Sequence, residues 1–126
     1  MLQVGSNVII ADNTWAKKAQ IFRILKSSNA RQATIGDTVV VAIKEAAPTS
    51  SIKKGDVAKA IIVRMTKEVA RKDWTYVRFW DNAIILIAID AKWEMKPIGK
   101  RIFGPVSREL KERWMKIITN MAEEVV

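Results

Sequence analysis

The sequence lacks both cysteine and histidine, and these two absences remove most metal and nucleophile chemistry. With no cysteine among its 126 residues, the chain has no disulfide framework and no thiolate metal site. Without histidine, the usual zinc sites and histidine-based catalytic triads are excluded as well. We therefore expect no metal and no cofactor.

Long apolar runs are also missing. The longest is "AIILIAI" at 83–89, far short of the ~20 residues that a membrane-spanning helix needs. Residues 1–20 contain no basic segment followed by an apolar one, and they are not rich in arginine and serine. We expect no membrane partner, and the sequence carries no readable targeting address.

Catalysis without histidine or cysteine would need paired carboxylates or an activated lysine. The candidate carboxylates, Asp37, Asp56, Asp81 and Asp90, all fall at the ends of predicted strands. Aspartate at such positions is typical of turns and caps. We predict that the protein is not an enzyme.

Positive charge is in excess. Lysine and arginine number 22 against 13 acidic residues, which gives a net charge of +9. A small domain with this imbalance is expected to have a polyanionic partner, with nucleic acid ahead of a membrane surface. The alternative is that the lysines only keep a basic face solvated or guard exposed strand edges.

Strand patterns fill the first two-thirds of the chain. In "TYVRFW", Tyr76, Arg78 and Trp80 alternate with Val77 and Phe79. By contrast, "VVVAI" and "AIILI" are apolar on both faces, as expected of strands covered on both sides. Turn formers, Asp12 and Asn13 among them, separate the segments. The predicted strands are 6–12, 19–26, 37–44, 57–65, 75–80 and 83–89.

These patterns predict a mainly β domain, with an antiparallel sheet closed into a small barrel over about residues 1–90. Beyond Asp90 the pattern changes, and residues 108–124 have apolar positions at helical spacing. We expect a C-terminal loop and short helices over about 91–126. No linker or repeat divides residues 1–126, so we predict one domain.

The basic residues form local groups. Lys53 and Lys54 occupy a loop flanked by serine and glycine, where a phosphate backbone could approach closely. A second group, Lys67, Arg71 and Lys72, falls between two predicted strands, in a loop or at the tip of a β-ribbon. A third, Lys100, Arg101 and Arg108, brackets Gly104-Pro105, where we predict a tight bend that brings these cations onto one surface.

With these features in place, the chain resembles the ribosomal protein L-fourteen family of the large subunit. The resemblance covers nearly the whole length, with its matching stretches in family order. The most specific are "KKGDVAKAIIVR" and "PIGKRIFGPVSREL"; the others are "VIIADNTWAKKA", "IGDTVVVAIKEAAP", "VRFWDNAIILI" and "MKIITNMAEEVV".

The resemblance implies a closed five-stranded β-barrel with a projecting β-ribbon and short C-terminal helices. It also implies a structural constituent of the large ribosomal subunit, bound to large-subunit rRNA at the subunit interface. Implied partners are small-subunit rRNA across an intersubunit bridge, the neighbouring ribosomal proteins numbered three and nineteen, and an anti-association or silencing factor. The residues implied to contact rRNA are Lys44, Lys53, Lys54, Lys59, Arg64, Arg78, Lys100, Arg101 and Arg108.

Two turns depart from the family pattern. Trp15 and Trp74 stand where the family has glycine, and a third tryptophan, Trp93, falls in a variable loop. If these turns require φ > 0, a bulky residue there costs about 1–3 kcal/mol. One hypothesis is that Trp15, Trp74 or Trp93 stacks on an unpaired rRNA base or fills a pocket on a neighbour. The alternative is that each covers apolar barrel surface.

Such substitutions indicate a fast-evolving lineage, which favours a mitochondrial ribosome over a bacterial one. A different reading of the same sequence is a free RNA-binding barrel that acts as a translation factor or RNA chaperone. That class stacks bases on aromatic residues of one strand face, a role that Tyr76 and Trp80 could fill.

Overall fold

The computed structural model describes residues 2–14, 16–25, 32–48, 52–70, 74, 76–89, 95–99, 101–107 and 122–125. These residues form strands and turns, and they contain no helix. The strands are β1 (Leu2–Gln3), β2 (Asn7–Ile10), β3 (Ala16–Ile24), β4 (Gln32–Ala33), β5 (Thr38–Ala46), β6 (Val57–Arg64), β7 (Val69–Ala70), β8 (Tyr76–Val77), β9 (Ala83–Ile89), β10 (Met95–Pro97), β11 (Ile102–Val106) and β12 (Ala122–Val125).

Five strands close into a barrel. The pairs β2–β3, β3–β5, β5–β6 and β6–β9 are antiparallel. The barrel closes where β9 lies beside β2, and this pair is parallel, with Ile9 opposite Ala83. The predicted five-stranded barrel is confirmed, but the expectation of a wholly antiparallel one is wrong. Parallel neighbours need a long connection, which here contains the three other barrel strands.

The core follows the strand periodicity. In β9, residues 83–87 are at most 3% exposed, as predicted for a strand covered on both faces. The same expectation for "VVVAI" in β5 is met on one face only, because Val39, Val41 and Ile43 are fully buried whereas Val40 and Ala42 are half-buried. One face of β5 therefore lines the core, whereas both faces of β9 are buried, although only one of them can point into the barrel. Burying each large aliphatic side chain stabilises the fold by about 1.5–3 kcal/mol.

The predicted β-ribbon is present as β7 and β8, which pair with each other as a separate two-stranded sheet. Only Tyr76 and Val77 of the predicted 75–80 strand belong to it. The alternation nevertheless continues, because Tyr76, Arg78 and Trp80 are exposed and Phe79 is buried. The ribbon tip at 71–73 lies outside the described residues.

Gly104 and Pro105 do not reverse the chain. Both lie inside β11, where the pairing with β12 shifts between Ile102 and Pro105. Gly104 has φ +80°, so the residue supplies a bulge in a continuing strand instead of the predicted tight bend.

The predicted C-terminal helix lies largely outside the described residues, which resume at Ala122. From there to Val125 the chain is a strand, β12, parallel to β11. The last three residues of the predicted helix, 122–124, are therefore part of a strand and not of a helix. β12 provides hydrogen-bonding partners for one edge of β11, whereas the other side of β11 lies near the barrel through a bridge from Ile102 to Asp12.

Candidate nucleic-acid interface

Most of the predicted RNA-contacting cations that the structure describes lie on the surface. Lys59 is half-buried and Arg64 is buried, while Lys100 and Arg108 lie outside the described residues. The exposed cations are Lys44, Lys53, Lys54, Arg78 and Arg101.

The turn that carries Lys53 and Lys54 is fixed against the end of β5. The Asp56 carboxylate accepts a hydrogen bond from the backbone N–H of Lys53 at 2.9 Å. The backbone of Ile43 in turn accepts from Gly55 at 2.7 Å and donates to Asp56 at 2.8 Å. Because Lys44 follows Ile43 directly, the three lysines share one end of the β5–β6 hairpin. We call Lys44, Lys53 and Lys54 the hairpin cluster.

An open groove of about 490 Å³ lies next to Lys44. Its polar lining includes Asn7, Lys18 and Asn82, none of which the sequence analysis assigned to RNA contact. The Lys18 ammonium lies 3.6 Å from the Glu45 carboxylate of the neighbouring strand. Lys18 is thus a fourth lysine near the hairpin cluster, although Glu45 already partly neutralises its charge.

Arg64 occupies a different environment from the surface cations. Its Nη1 donates to the carbonyl of Phe103 at 3.0 Å and to that of Pro105 at 3.3 Å. Its Nη2 donates to Asp81 Oδ2 at 3.2 Å, and Nε lies 2.9 Å from Oδ1 without the alignment of a hydrogen bond. The guanidinium thus connects β6, the start of β9 and β11. A contact between Arg64 and rRNA stays a prediction.

Arg101 is exposed but its backbone is held. The Asn13 N–H donates to the Arg101 carbonyl at 3.1 Å, and the Arg101 N–H donates to the Asn13 side chain at 3.4 Å. Neighbouring Asp12 is buried and accepts hydrogen bonds from Thr14 and from the Leu86 backbone. The sequence indicated Asp12 and Asn13 only as turn formers, because their partners lie far along the chain.

Trp74 keeps the backbone geometry of the glycine that the family resemblance implies. Its φ is +67°, and its side chain is 92% exposed. The turn therefore retains φ > 0, at a cost of about 1–3 kcal/mol for a bulky residue, and the ring does not cover barrel surface. Trp15 and Trp93 lie outside the described residues, so the hypotheses about them stay predictions.

Trp80 is 72% exposed yet held by its neighbours. The Arg64 guanidinium carbon lies 5.6 Å from the centroid of the Trp80 ring, a cation–π arrangement. The ring also meets Phe79 edge-to-face, with centroids 6.4 Å apart. An exposed aromatic surface is thereby attached to the buried Arg64.

The candidate catalytic carboxylates have structural partners. Asp37 Oδ2 accepts from the Thr34 N–H at 2.8 Å, Asp56 closes the lysine turn, and Asp81 pairs with Arg64. Asp90 lies outside the described residues. Within the described ranges, no three acidic side chains gather as they would around a metal ion. Nor does that part of the chain contain a helix with the length and hydropathy of a membrane span.

A comparison with protein families extends these observations to the whole sequence. The family model described as ribosomal protein L14p/L23e matches residues 1–126. This match agrees with the closed five-stranded barrel and with the quoted motifs "KKGDVAKAIIVR" and "PIGKRIFGPVSREL". The chain therefore belongs to the ribosomal protein L14p/L23e family, whose members are structural, non-enzymatic proteins of the large ribosomal subunit.

Proposed function

We propose that this protein binds large-subunit rRNA through its exposed cations and holds it at the subunit interface. The observation that carries the proposal is the hairpin cluster on a chain that belongs to this ribosomal family along its whole length. Because hydrogen bonds fix the backbone of the turn, less backbone ordering is needed when Lys53 and Lys54 meet phosphates. The Lys53 ammonium donates to the Pro48 carbonyl at 3.2 Å in the free chain and would exchange that acceptor for a phosphate.

Cations outside the hairpin cluster supply further proposed contacts. Arg78 and Arg101 are exposed on other parts of the molecule, and Lys59 is half-buried on β6. Lys100 and Arg108 flank the described strand β11 in sequence and keep their proposed contacts with phosphates. Phosphate contacts of this kind fix orientation and supply affinity without reading sequence.

The family resemblance supports further partners. We assign to this chain contact with small-subunit rRNA across an intersubunit bridge, and with the neighbouring proteins numbered three and nineteen. An anti-association or silencing factor is a further partner, at the subunit-interface side of the protein. A chain whose role is to position rRNA needs no catalytic group, and Asp12, Asp37, Asp56 and Asp81 have structural partners.

A mitochondrial ribosome is the proposed setting, in preference to a bacterial one. The support is Trp74, which occupies a φ > 0 position with an unfavourable side chain, as expected in a fast-evolving lineage. Fractionation of source cells tests this: the protein is expected with the mitochondrial matrix, and recovery with cytoplasmic ribosomes alone would contradict it.

One observation favours a second candidate, a free RNA-binding barrel that acts as a translation factor or RNA chaperone. Tyr76 and Trp80 are both exposed, as that class of protein requires of its stacking residues. The two functions predict different behaviour in a ribosome preparation.

Sedimentation separates them. A tagged copy is sedimented through a sucrose gradient after a high-salt wash of the lysate. We expect retention at the large-subunit peak, because many phosphate contacts and neighbouring proteins hold an integral component. Release to the top of the gradient would instead support the free RNA-binding barrel and overturn the proposed function.

A further inference from the structure

Exposed aromatic rings follow the second half of the β-ribbon, from Trp74 beside its tip to Trp80 where the ribbon joins the barrel. Trp74, Tyr76 and Trp80 are 92%, 67% and 72% exposed, and exposed Arg78 lies between the last two. We call these four residues the aromatic face. Large rings left in water lose the stabilisation that burial would provide, so a cluster of them marks a contact surface.

Trp80 is prepared for stacking. The Arg64 guanidinium lies over its ring, and Arg64 is itself immobilised by Asp81 and by the carbonyls of Phe103 and Pro105. The ring therefore has little freedom to lose when a second flat group covers its exposed side. A preorganised ring of this kind favours binding.

Geometry and charge favour nucleotides as that second group. Tyr76, Arg78 and Trp80 follow each other at every second residue, so consecutive members are separated by at most about 7 Å along the chain. The cation between the two rings is placed to meet a phosphate while the rings meet bases. Lys67 is also exposed in this region, opposed by Glu68, and the whole chain carries +9.

We propose that the aromatic face stacks on unpaired nucleotides of large-subunit rRNA, with Trp80 as the fixed platform and Arg78 on the intervening phosphate. The inference rests on the proposed rRNA binding and adds a contact that cations alone do not provide. It also accounts for Trp74, whose strained backbone and exposed ring are unfavourable for the isolated chain.

Binding of the full-length chain to two RNA probes tests the platform. The probes are a fluorescein-labelled oligouridylate dodecamer, whose bases are unpaired, and a labelled RNA duplex of equal length. We expect Trp80→Leu to weaken binding to oligouridylate between about 5-fold and 150-fold, and binding to the duplex much less. Phe22→Leu, which alters an exposed aromatic residue on β3, is the matched control and is expected to leave both affinities unchanged.

Trp74→Gly is a second variant, chosen so that weaker RNA binding cannot be attributed to misfolding. Glycine suits φ +67°, so this variant is expected to unfold at a higher temperature while it binds oligouridylate more weakly. If Trp80→Leu and Trp74→Gly both bind oligouridylate as tightly as the wild type, the proposed stacking is wrong. If the wild-type chain binds both probes, the proposed rRNA binding still stands even when the stacking is wrong. If the wild-type chain binds neither probe, the proposed rRNA binding is itself contradicted.

Crosslinking in the assembled subunit identifies the occupant. Benzoylphenylalanine replaces Tyr76, and purified large subunits are irradiated. A crosslinked product that ribonuclease shortens supports contact with rRNA. A crosslink only to a neighbouring ribosomal protein, or no crosslink to RNA, would overturn the proposal.

Discussion

Gly104 is the residue at which backbone conformation and a buried charge depend on each other. Its φ is +80°, and a side chain built there would overlap Nη1 of Arg64. That nitrogen holds the carbonyls on either side of Gly104. The missing Cβ therefore allows the guanidinium to approach the bulge in β11 and to bind its backbone.

Gly104→Ala is expected to lower the free energy of unfolding by about 3–5 kcal/mol. Unfavourable φ accounts for about 1–2 kcal/mol, and displacement of Arg64 from two carbonyls accounts for the rest. Gly55→Ala is the matched control, since Gly55 has φ +92° and nothing within 4 Å of the added carbon. Urea denaturation of both variants measures the difference, and equal losses would show that Arg64 does not depend on Gly104.

Asp12 is the second residue with long-range consequences. Its Oδ1 accepts from the Thr14 N–H and hydroxyl, and its Oδ2 accepts from the buried Leu86 N–H at 2.9 Å. Asp12→Ala leaves these donors without their partner, so we expect a loss of about 2–4 kcal/mol in unfolding free energy.

The control for Asp12→Ala is Asp56→Ala. This variant removes a carboxylate that accepts a hydrogen bond from a backbone N–H in an exposed turn. Water can replace that partner, so about 1 kcal/mol or less is expected. Thermal denaturation followed by circular dichroism compares the two. A similar loss of unfolding free energy in both variants would mean that burial of Asp12 does not increase its contribution to stability.

At the scale of elements, the C-terminal strand completes a small sheet outside the barrel. β11 bonds to the barrel through Phe103 N–H to Ala11 and Ser107 N–H to Val63, and its pairing with β12 is parallel. Two strands far apart in sequence thus stabilise each other at the surface that carries Arg101.

Deletion of residues 122–126 is expected to lower the unfolding free energy by roughly 2–4 kcal/mol, because β11 loses its ladder partner. Hydrogen exchange should accelerate in β11, except at the Phe103 amide, whose acceptor is Ala11. Deletion of residue 126 alone is the control, because β12 ends at Val125. Unchanged exchange across β11 in the longer deletion would contradict the pairing.

At the scale of the whole molecule, the net charge of +9 makes rRNA binding depend on salt. We predict that replacing Lys53 and Lys54 with glutamine makes the plot of log K against log salt shallower by about 1.5, since each lost phosphate contact contributes about 0.7–0.9. Fluorescence anisotropy with the RNA duplex measures the slope.

The matched control for that measurement removes the same number of positive charges from another surface. Lys17 and Arg23 are both exposed on β3, and their double replacement by glutamine also removes two positive charges. We expect this variant to alter the slope much less. Equal changes in the two variants would show that net charge alone, and not the fixed hairpin cluster, determines binding.

The sequence by itself determined the features that depend on neighbours along the chain. Alternation predicted that Tyr76, Arg78 and Trp80 share one face and that Phe79 lies on the other, because side chains in an extended segment point to opposite sides, and their exposure in the structure agrees. Composition excluded disulfide and histidine chemistry and indicated a polyanionic partner. The family motifs predicted the barrel, and the exposure of the hairpin cluster agreed with its serine- and glycine-flanked loop.

Only the tertiary structure decided the features whose partners lie far apart in sequence. Arg64 resembled the other cations until Asp81 and the β11 carbonyls were seen to surround it. The parallel β2–β9 pair, the bulge at Gly104 and the strand at 122–125 likewise depend on which edges meet in space. Local periodicity does not specify which strand edges pair, because the same pattern of apolar residues is compatible with any neighbour that covers it.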